Sequence, residues 1–236
     1  MKIEKIVILT GAGISAESGI KTFRDADGLW ENHAIEEVAS PEGFKRNPKL
    51  VYEFYNARRS QLNSPEVKPN KGHQELTRLI NEFHGEVTLI TQNIDDLHER
   101  SGLSTKDVWH MHGELQKMRC QKTQRIFNAP NSFDEETECP CCQELGNLRP
   151  HIVWFGEMPF YLDEAFEKLT DCDLFLSIGT SGLVYPAAQF VAMTPQTCRR
   201  IEVNLNETQV SNQFDECRVG PAGLVLPILV EEVLKA

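Results

Sequence analysis

Thr10-Gly11-Ala12-Gly13-Ile14-Ser15-Ala16-Glu17-Ser18-Gly19 follows directly on the apolar run Ile6-Val7-Ile8-Leu9. A short apolar run that ends in closely spaced glycines reads as a buried strand breaking into a tight turn, with a short helix expected to start near Ser15. Small residues let the backbone approach an anion, and a helix start offers unpaired N–H groups at its positive end. The turn therefore points either to a phosphate cradle or to a tight strand–helix connection without a ligand, and the glycine pattern alone does not decide between them. In a hydride-transferring dehydrogenase, a second strand ending in an acidic residue follows about 20 residues later and holds the adenosine ribose. Here that region is Phe23-Arg24-Asp25-Ala26-Asp27-Gly28-Leu29-Trp30, a turn-forming stretch with two large aromatics, followed by the helix-start signal Ser40-Pro41-Glu42-Gly43. The dehydrogenase layout fails at this point. The aromatic loop reads either as a lid over a ligand or as a loop pinned to the core by Phe23 and Trp30.

Further along, three more apolar runs end in small or polar residues. Glu86–Thr91 leads into Gln92-Asn93-Ile94-Asp95, Leu174–Ile178 into Gly179-Thr180-Ser181-Gly182, and Ile201–Val203 into Asn204-Leu205-Asn206. Ligands of open parallel sheets bind at the carboxyl ends of strands, so four such ends imply an extended ligand lying across them. Leu224-Val225-Leu226 reads as a last short strand, with a closing helix after Pro227. Residues 41–63 read as helical, which places Tyr55 and Arg58 three apart on one face. His73–His84 reads as a second amphipathic helix, with Gly85 as its left-handed cap. Val108-Trp109-His110-Met111-His112-Gly113-Glu114-Leu115 alternates enough for a short strand.

The chain has 236 residues, 40% hydrophobic and 25% charged, which suffices for one good core and a small satellite module. A net charge of −11 and a pI near 5.2 argue against a nucleic-acid-binding surface. No run approaches the about 20 apolar residues of a membrane span, and Met1-Lys2-Ile3-Glu4-Lys5 is not the start of a signal peptide. A cytoplasmic location is the expectation. Of seven cysteines, Cys120, Cys139, Cys141 and Cys142 fall in a segment with little apolar content. A small module of that kind needs a staple. The Cys139/Cys142 pair and Cys120 have the spacing of a zinc ribbon, except that Thr123 stands where a second upstream cysteine belongs. Cys120, Cys139 and Cys142, with Cys141 as a possible fourth sulfur, favour a structural Zn²⁺ over a redox pair. Cys172, Cys198 and Cys217 read as ordinary buried or half-buried thiols.

Seven motifs then stand in a recognisable order: Gly-Ala-Gly-Ile-Ser (11–15), Thr-Phe-Arg (22–24), Thr-Gln-Asn-Ile-Asp (91–95), His-Gly-Glu (112–114), Phe-Gly-Glu (155–157), Gly-Thr-Ser (179–181) and Asn-Leu-Asn (204–206). In this the chain resembles the sirtuins, the NAD-dependent protein-lysine deacylases, and among them the compact bacterial members. The resemblance implies an α/β fold: a Rossmann-like parallel sheet with helices on both faces (1–27, 80–116 and 146–236), and a smaller domain made of a helical module (28–79) and a zinc module (117–145). It assigns Gly11, Ala12, Gly13 and Ser15 to the NAD phosphates, and Phe23, Arg24 and Trp30 to a cofactor loop. Gln92, Asn93, Ile94 and Asp95 go to the nicotinamide and ribose end. Gly179, Thr180, Ser181, Asn204, Leu205, Asn206 and Ala222 go to the adenosine end. Val153, Phe155, Gly156 and Glu157 on one side and the Gly182–Tyr185 loop on the other would sandwich an acylated-lysine protein as an added strand, a backbone-driven mode that tolerates many sequences. Tyr55 and Arg58 match the pair that reads the acyl carboxylate in the succinyl-removing branch, where an arginine fork and a phenol supply the donors.

The implied reaction consumes NAD and gives free lysine, nicotinamide and O-acyl-ADP-ribose, with no hydride moved. It needs a base for a ribose hydroxyl, and a histidine neutral near pH 7 suits that work. His112 and His84 both precede Gly-Glu. His84 closes a helix, whereas His112 directly precedes the cysteine module as the family's base does, so His112 is the expected base, beside Asn93 and Asp95. Partners are then acylated proteins, without nucleic acid or membrane, and a monomer is consistent with the reading. The competing readings are an NAD-consuming mono-ADP-ribosyltransferase on the same fold and a nucleotide sensor with a zinc lobe. A pure sensor needs no base beside the ribose.

Overall fold

Ile6, Val7, Ile8 and Leu9 are buried on both sides of the strand they form. Such a pattern requires a sheet covered on both faces, where β-branched residues fit the pleat. A computed structural model describes residues 2–20, 29–30 and 33–236. The first half of the chain runs β1 (Lys5–Thr10), α1 (Ala12–Ala16), β2 (Leu29–Trp30), β3 (His33–Ala34), α2 (Ile35–Val38), α3 (Pro41–Arg46), α4 (Pro48–Leu62), α5 (Lys71–Glu82), β4 (Glu86–Thr91), α6 (Leu97–Arg100) and β5 (Val108–His110). The second runs β6 (Gly113–Cys120), β7 (Ile126–Asn128), β8 (Leu148–Ile152), α7 (Leu162–Leu169), β9 (Leu174–Ile178), α8 (Phe190–Met193), β10 (Arg199–Asn204), β11 (Glu216–Val219) and α9 (Ala222–Leu234).

Six strands form one parallel sheet in the order β11-β10-β9-β1-β4-β5. Leu76 and Leu79 of α5, with Leu226, Leu229 and Val230 of α9, cover one face. Ala165 and Leu169 of α7, with Phe190 and Val191 of α8, cover the other. The chain builds outward from β1 to β5 on one side, then returns to build β9 to β11 on the other. A reversal of this kind opens a crevice at the carboxyl ends of the two strands where it occurs, here β1 and β9.

The smaller unit packs α2, α3 and α4 against the antiparallel sheet β7-β6-β8. Phe44, Tyr52 and Phe54 from the helices share one core with Met118, Leu148 and Trp154 from the sheet side. Arg59, fully buried on α4, clamps the two by donating from Nε to the Leu115 carbonyl at 3.0 Å. The helical and cysteine-bearing segments are therefore one packed unit. Helix α5, expected with the helical module, instead lies on α9 against the main sheet.

Local chemistry moves several expected boundaries. Helix α1 starts at Ala12 rather than near Ser15. The stretch 41–63 is two helices, because the Asn47 side chain accepts from the Leu50 amide at 3.2 Å and Pro48 opens a new helix. Helix α5 starts at Lys71, capped by Asn70, and ends at Glu82. Gly85 is not its left-handed cap; a Cβ there would lie 2.2 Å from the Glu4 carbonyl oxygen, so close backbone approach demands the glycine. Leu224–Leu226 are helical, and α9 runs straight through Pro227. The proline sacrifices one helical hydrogen bond, at a cost of about 3 kcal/mol. Burial of Leu226, Leu229, Val230 and Val233, at about 1.5–3 kcal/mol each, outweighs it. Cys172 and Cys198 are buried as expected, whereas Cys217 on β11 is exposed.

A Cβ at Gly13 would come within 2.6 Å of the Gly179 Cα, a backbone atom that cannot swing aside. Gly13→Ala is expected to cost about 1–3 kcal/mol by overpacking, read as a lower urea midpoint with an unchanged slope. An unshifted midpoint would contradict this packing.

Candidate active site

Register brings the strand ends to one level. Thr10 lies opposite both Thr91 and Ile178, and Ile178 opposite Val203. Beyond that level the turns after β1 and β9 interlock. The Gly11 amide donates to the Ile178 carbonyl at 2.9 Å and the Gly13 amide to the Gly179 carbonyl at 2.7 Å. Gly179 has φ +63°, and a Cβ on it would meet the Ile14 nitrogen at 2.5 Å. Above the interlocked turns opens a cavity of about 280 Å³. Gly11, Ala12 and Ser15, then Gln92, Asn93, Ile94 and Asp95, and then Gly179, Thr180 and Ser181 line its sheet side. Trp30, Tyr55, Val153, Phe155, Gly156 and Glu157 line the side of the smaller unit, and His112 stands between the two sides.

The polar floor is tightly satisfied. Asn93 Nδ2 donates to the Gly11 carbonyl and to Ser15 Oγ, both at 3.1 Å, and the Ser15 hydroxyl donates to Asp95 Oδ2 at 2.9 Å. The Leu97 amide donates to the other Asp95 oxygen at 3.1 Å. Burial pushes the Asp95 carboxyl up to about 6, against the pull of these donors, so it is mostly ionised at pH 7. Behind the floor lies His73, which burial lowers to about 4 and so keeps neutral.

Two histidines pin the loop after β4. The His112 Nδ1 sits 3.0 Å from the Gln92 carbonyl and the His110 Nδ1 sits 3.1 Å from the Asn93 carbonyl. A carbonyl only accepts, so each Nδ1 carries the hydrogen. On neutral His112 the lone pair therefore belongs to Nε2, and burial holds the ring below its ordinary range despite the Gln92 contact. His110 differs. Burial opposes its charge, but the Glu99 carboxylate, 2.7 Å from Nε2, more than offsets this and raises it. His110 does not line the cavity.

On the opposite wall the Trp154 indole N–H donates to the Tyr55 hydroxyl at 3.0 Å. The Glu157 carboxylate accepts from Arg149 at 2.7 and 3.0 Å, from Arg119 at 3.2 Å and from the Trp154 amide at 2.8 Å. That side chain thus fastens the 154–157 turn. The Arg58 guanidinium lies over the Phe54 ring at 4.5 Å and is not part of the cavity wall. Gly13 supports the turn from behind. Asn204 bonds the Thr180 carbonyl at 2.7 Å, and Leu205 and Asn206 beside it are exposed. Neither these three nor Ala222 line the cavity. Phe23 and Arg24 lie outside the described residues.

Val184 and Tyr185 of the expected 182–185 loop line the cavity, and so do Ile20, Ala39, Ile152, Trp154 and Pro159, which the sequence does not single out. Trp154 and Ile152 flank residues that were singled out; the others carry no polar signal that separates a wall from a core.

A model of the Sir2 family matches residues 11–186. The chain belongs to the Sir2 family. It is 51% identical over 236 residues to a protein of Escherichia coli strain K12 named NAD-dependent protein deacylase, covering 100% of this chain and 84% of that one. A protein of the same name from Vibrio vulnificus strain YJ016 is 52% identical over 230 residues, covering 97% and 93% of the two chains. A solved Sir2 homologue–NAD complex has a TM-score of 0.87 at 39% identity, covering 99% of this chain and 91% of that one. A Sir2 structure bound to a myristoylated histone peptide has a TM-score of 0.74 at 32% identity, covering 99% and 92%. The expected resemblance to sirtuins is thus family membership.

In this Sir2 chain the sulfurs of Cys120, Cys139, Cys141 and Cys142 all lie within 4.8 Å of one another. Cys139 and Cys141 are 3.4 Å apart, and Cys120 and Cys142 are 3.9 Å apart. A tetrahedral Zn²⁺ with bonds of about 2.3 Å spaces its sulfurs about 3.8 Å apart, so four convergent thiols fit that ion and leave no position for water. Thr123 offers no sulfur and sits 3.0 Å from the Cys141 sulfur, which is the fourth thiol of the cluster. Cys141→Ser is expected to lower zinc content as much as Cys120→Ser, measured by metal analysis of purified protein; full zinc in Cys141→Ser would remove Cys141 from the ligand set.

Proposed function

We propose that this chain is an NAD-dependent protein-lysine deacylase that removes acetyl groups and carboxyl-bearing acyl groups such as succinyl. The arrangement of His112 carries the reading: a half-buried, neutral imidazole whose Nδ1 is tied to a carbonyl and whose Nε2 lone pair is left for a proton on the cavity side. NAD, when bound, supplies the ribose that receives the acyl group as nicotinamide leaves. His112 takes the proton of a ribose hydroxyl. Asn93 and Asp95 hold the nicotinamide and ribose end. Gly11, Ala12 and Ser15 give the phosphates an approach free of large side chains, and Gly179, Thr180 and Ser181, backed by Asn204, hold the adenosine end.

The acylated lysine enters between Phe155-Gly156 and the 182–185 loop. The Val153 amide is tied to the His112 carbonyl and the Phe155 amide to the Ala39 carbonyl, each at 2.9 Å, so this rim is anchored on both sides. Tyr55, on the cavity wall, receives an acyl carboxylate, and Arg58, three residues on and resting over Phe54 outside that wall, turns in to pair with it. The names of the relatives (NAD-dependent protein deacylase) and the peptide-bound Sir2 structure support this substrate class. The four-cysteine cluster holds a structural zinc. The parts act as an NAD-binding domain around the parallel sheet and a smaller acyl-pocket domain. Bacterial relatives, and the absence among the described residues of a helix able to cross a membrane, support a cytoplasmic location.

His112→Ala is expected to lower deacylation by about 10²–10⁴-fold while the protein stays folded; near-normal turnover would remove His112 as the base. In the wild type, kcat/KM should fall as pH drops through about 6, where Asp95 gains its proton, and fall further below histidine's ordinary range, where His112 becomes charged; a rate flat down to pH 5 would contradict the role of an ionised Asp95. Arg58→Met should lower the ratio of desuccinylation to deacetylation by about 10-fold or more, the worth of a charge-assisted bond. Equal losses on both substrates would make Arg58 structural.

A further inference from the structure

Trp154 is held from three sides. The Arg149 guanidinium carbon stands 3.4 Å from its ring centroid, and the Phe44 ring is 5.2 Å away. Its own backbone amide is bound by Glu157, whose carboxylate also grips Arg149. A side chain fixed in this way has one direction for its N–H, and that direction is the Tyr55 hydroxyl. Both residues are buried, and both line the cavity.

An indole N–H donates and never accepts. The Tyr55 oxygen is therefore the acceptor in this bond, and its single proton is turned away from Trp154. Trp30 and Phe54 flank the phenol edge-on, with ring centroids 6.1 and 5.2 Å away, and neither presents an oxygen to that proton. Among the described residues that hydroxyl makes no other hydrogen bond, and Tyr55 lines the cavity. A cation over the indole face draws electron density from the ring and sharpens its N–H as a donor. Burial also pushes the phenol well above its ordinary range, which keeps the proton in place at neutral pH.

We propose that Trp154 is a specificity-determining residue: its indole N–H fixes Tyr55 as a hydrogen-bond donor toward the cavity, so that the pocket favours acyl groups ending in a carboxylate over those ending in a methyl group. This rests on the reading that Tyr55 receives the acyl carboxylate. A donor already oriented loses no rotational freedom when the carboxylate arrives. An acetyl group has no atom to accept from it, so the benefit falls on the acidic acyl group alone.

The test is a double-mutant cycle on one peptide carrying either succinyl-lysine or acetyl-lysine, with the ratio of the two kcat/KM values as readout. Trp154→Phe keeps an aromatic face for Arg149 and removes only the N–H side of the indole. Trp154→Phe and Tyr55→Phe should each lower the succinyl-to-acetyl ratio about 5–20-fold, and the double variant should lower it no further than Tyr55→Phe alone. An unchanged ratio in Trp154→Phe, with a lowered one in Tyr55→Phe, overturns the proposal and leaves the Tyr55 reading standing. A ratio unchanged in Tyr55→Phe overturns that reading and the proposal with it. A further fall in the double variant shows that Trp154 acts by another route, which also overturns the proposal. If Trp154→Phe does not fold, benzothienylalanine at position 154, which replaces the N–H by sulfur at nearly the same shape, gives the same readout.

Discussion

The Gly13 amide reaches the Gly179 carbonyl at 2.7 Å, a contact that exists only because neither residue carries a Cβ. The cavity rests on it. It welds the turn after β1 to the turn after β9 where the sheet reverses direction, and the parallel register then places Gln92 and Asn204 at the same level. The glycines thus have a structural cause complete in itself. Their openness toward a phosphate is a consequence of that packing, because a turn stripped of side chains for one neighbour is also bare toward a ligand.

From this floor the polar groups are built by exhausting alternatives. Asn93 spends its amide on Gly11 and Ser15, and Ser15 spends its hydroxyl on Asp95. His110 and His112 take successive carbonyls of one loop by the same nitrogen, yet their surroundings drive them apart. Glu99 beside His110 favours its charge, whereas His112 has burial and, among the described residues, no carboxylate in hydrogen-bond contact, and stays neutral. Alternation along the sequence brings the two together; the position of Glu99, on α6, separates a loop anchor from the proposed base.

The parallel sheet was legible because its strands are uninterrupted apolar runs, and the ligand face because each run stops in small or polar residues. What escaped depended on side chains meeting across the fold. Nothing local shows that Gly85 must clear the Glu4 carbonyl, or that packing against α5 carries α9 through Pro227. Asn47 and Pro48 did carry a local signal, a cap followed by a first-turn proline, but helical spacing in Leu50, Val51 and Phe54 masked it. The four-residue β11 has no apolar run to announce it. On α4, three-residue spacing drew attention to Arg58, while its neighbour Arg59 is the guanidinium that is fully buried and joins the two halves of the smaller unit.

That joining ties the cysteine cluster to the chemistry without placing it in the cavity. Cys120 ends β6, which also carries Arg119, and β8 carries Arg149 and leads into Trp154. Both arginines close on Glu157, and the Trp154 they steady reaches Tyr55 on α4. The proposed acyl end of the pocket is therefore assembled from a helix on one side and two strands on the other, whose sequences carry several polar and charged residues. Cys120 lies opposite Leu148 where the two strands meet, so a metal held by the four thiols would fix both at that end. In the proposed reaction the cluster would then bear on substrate selection, because the orientation of one hydroxyl proton is only as definite as the frame that holds its donor.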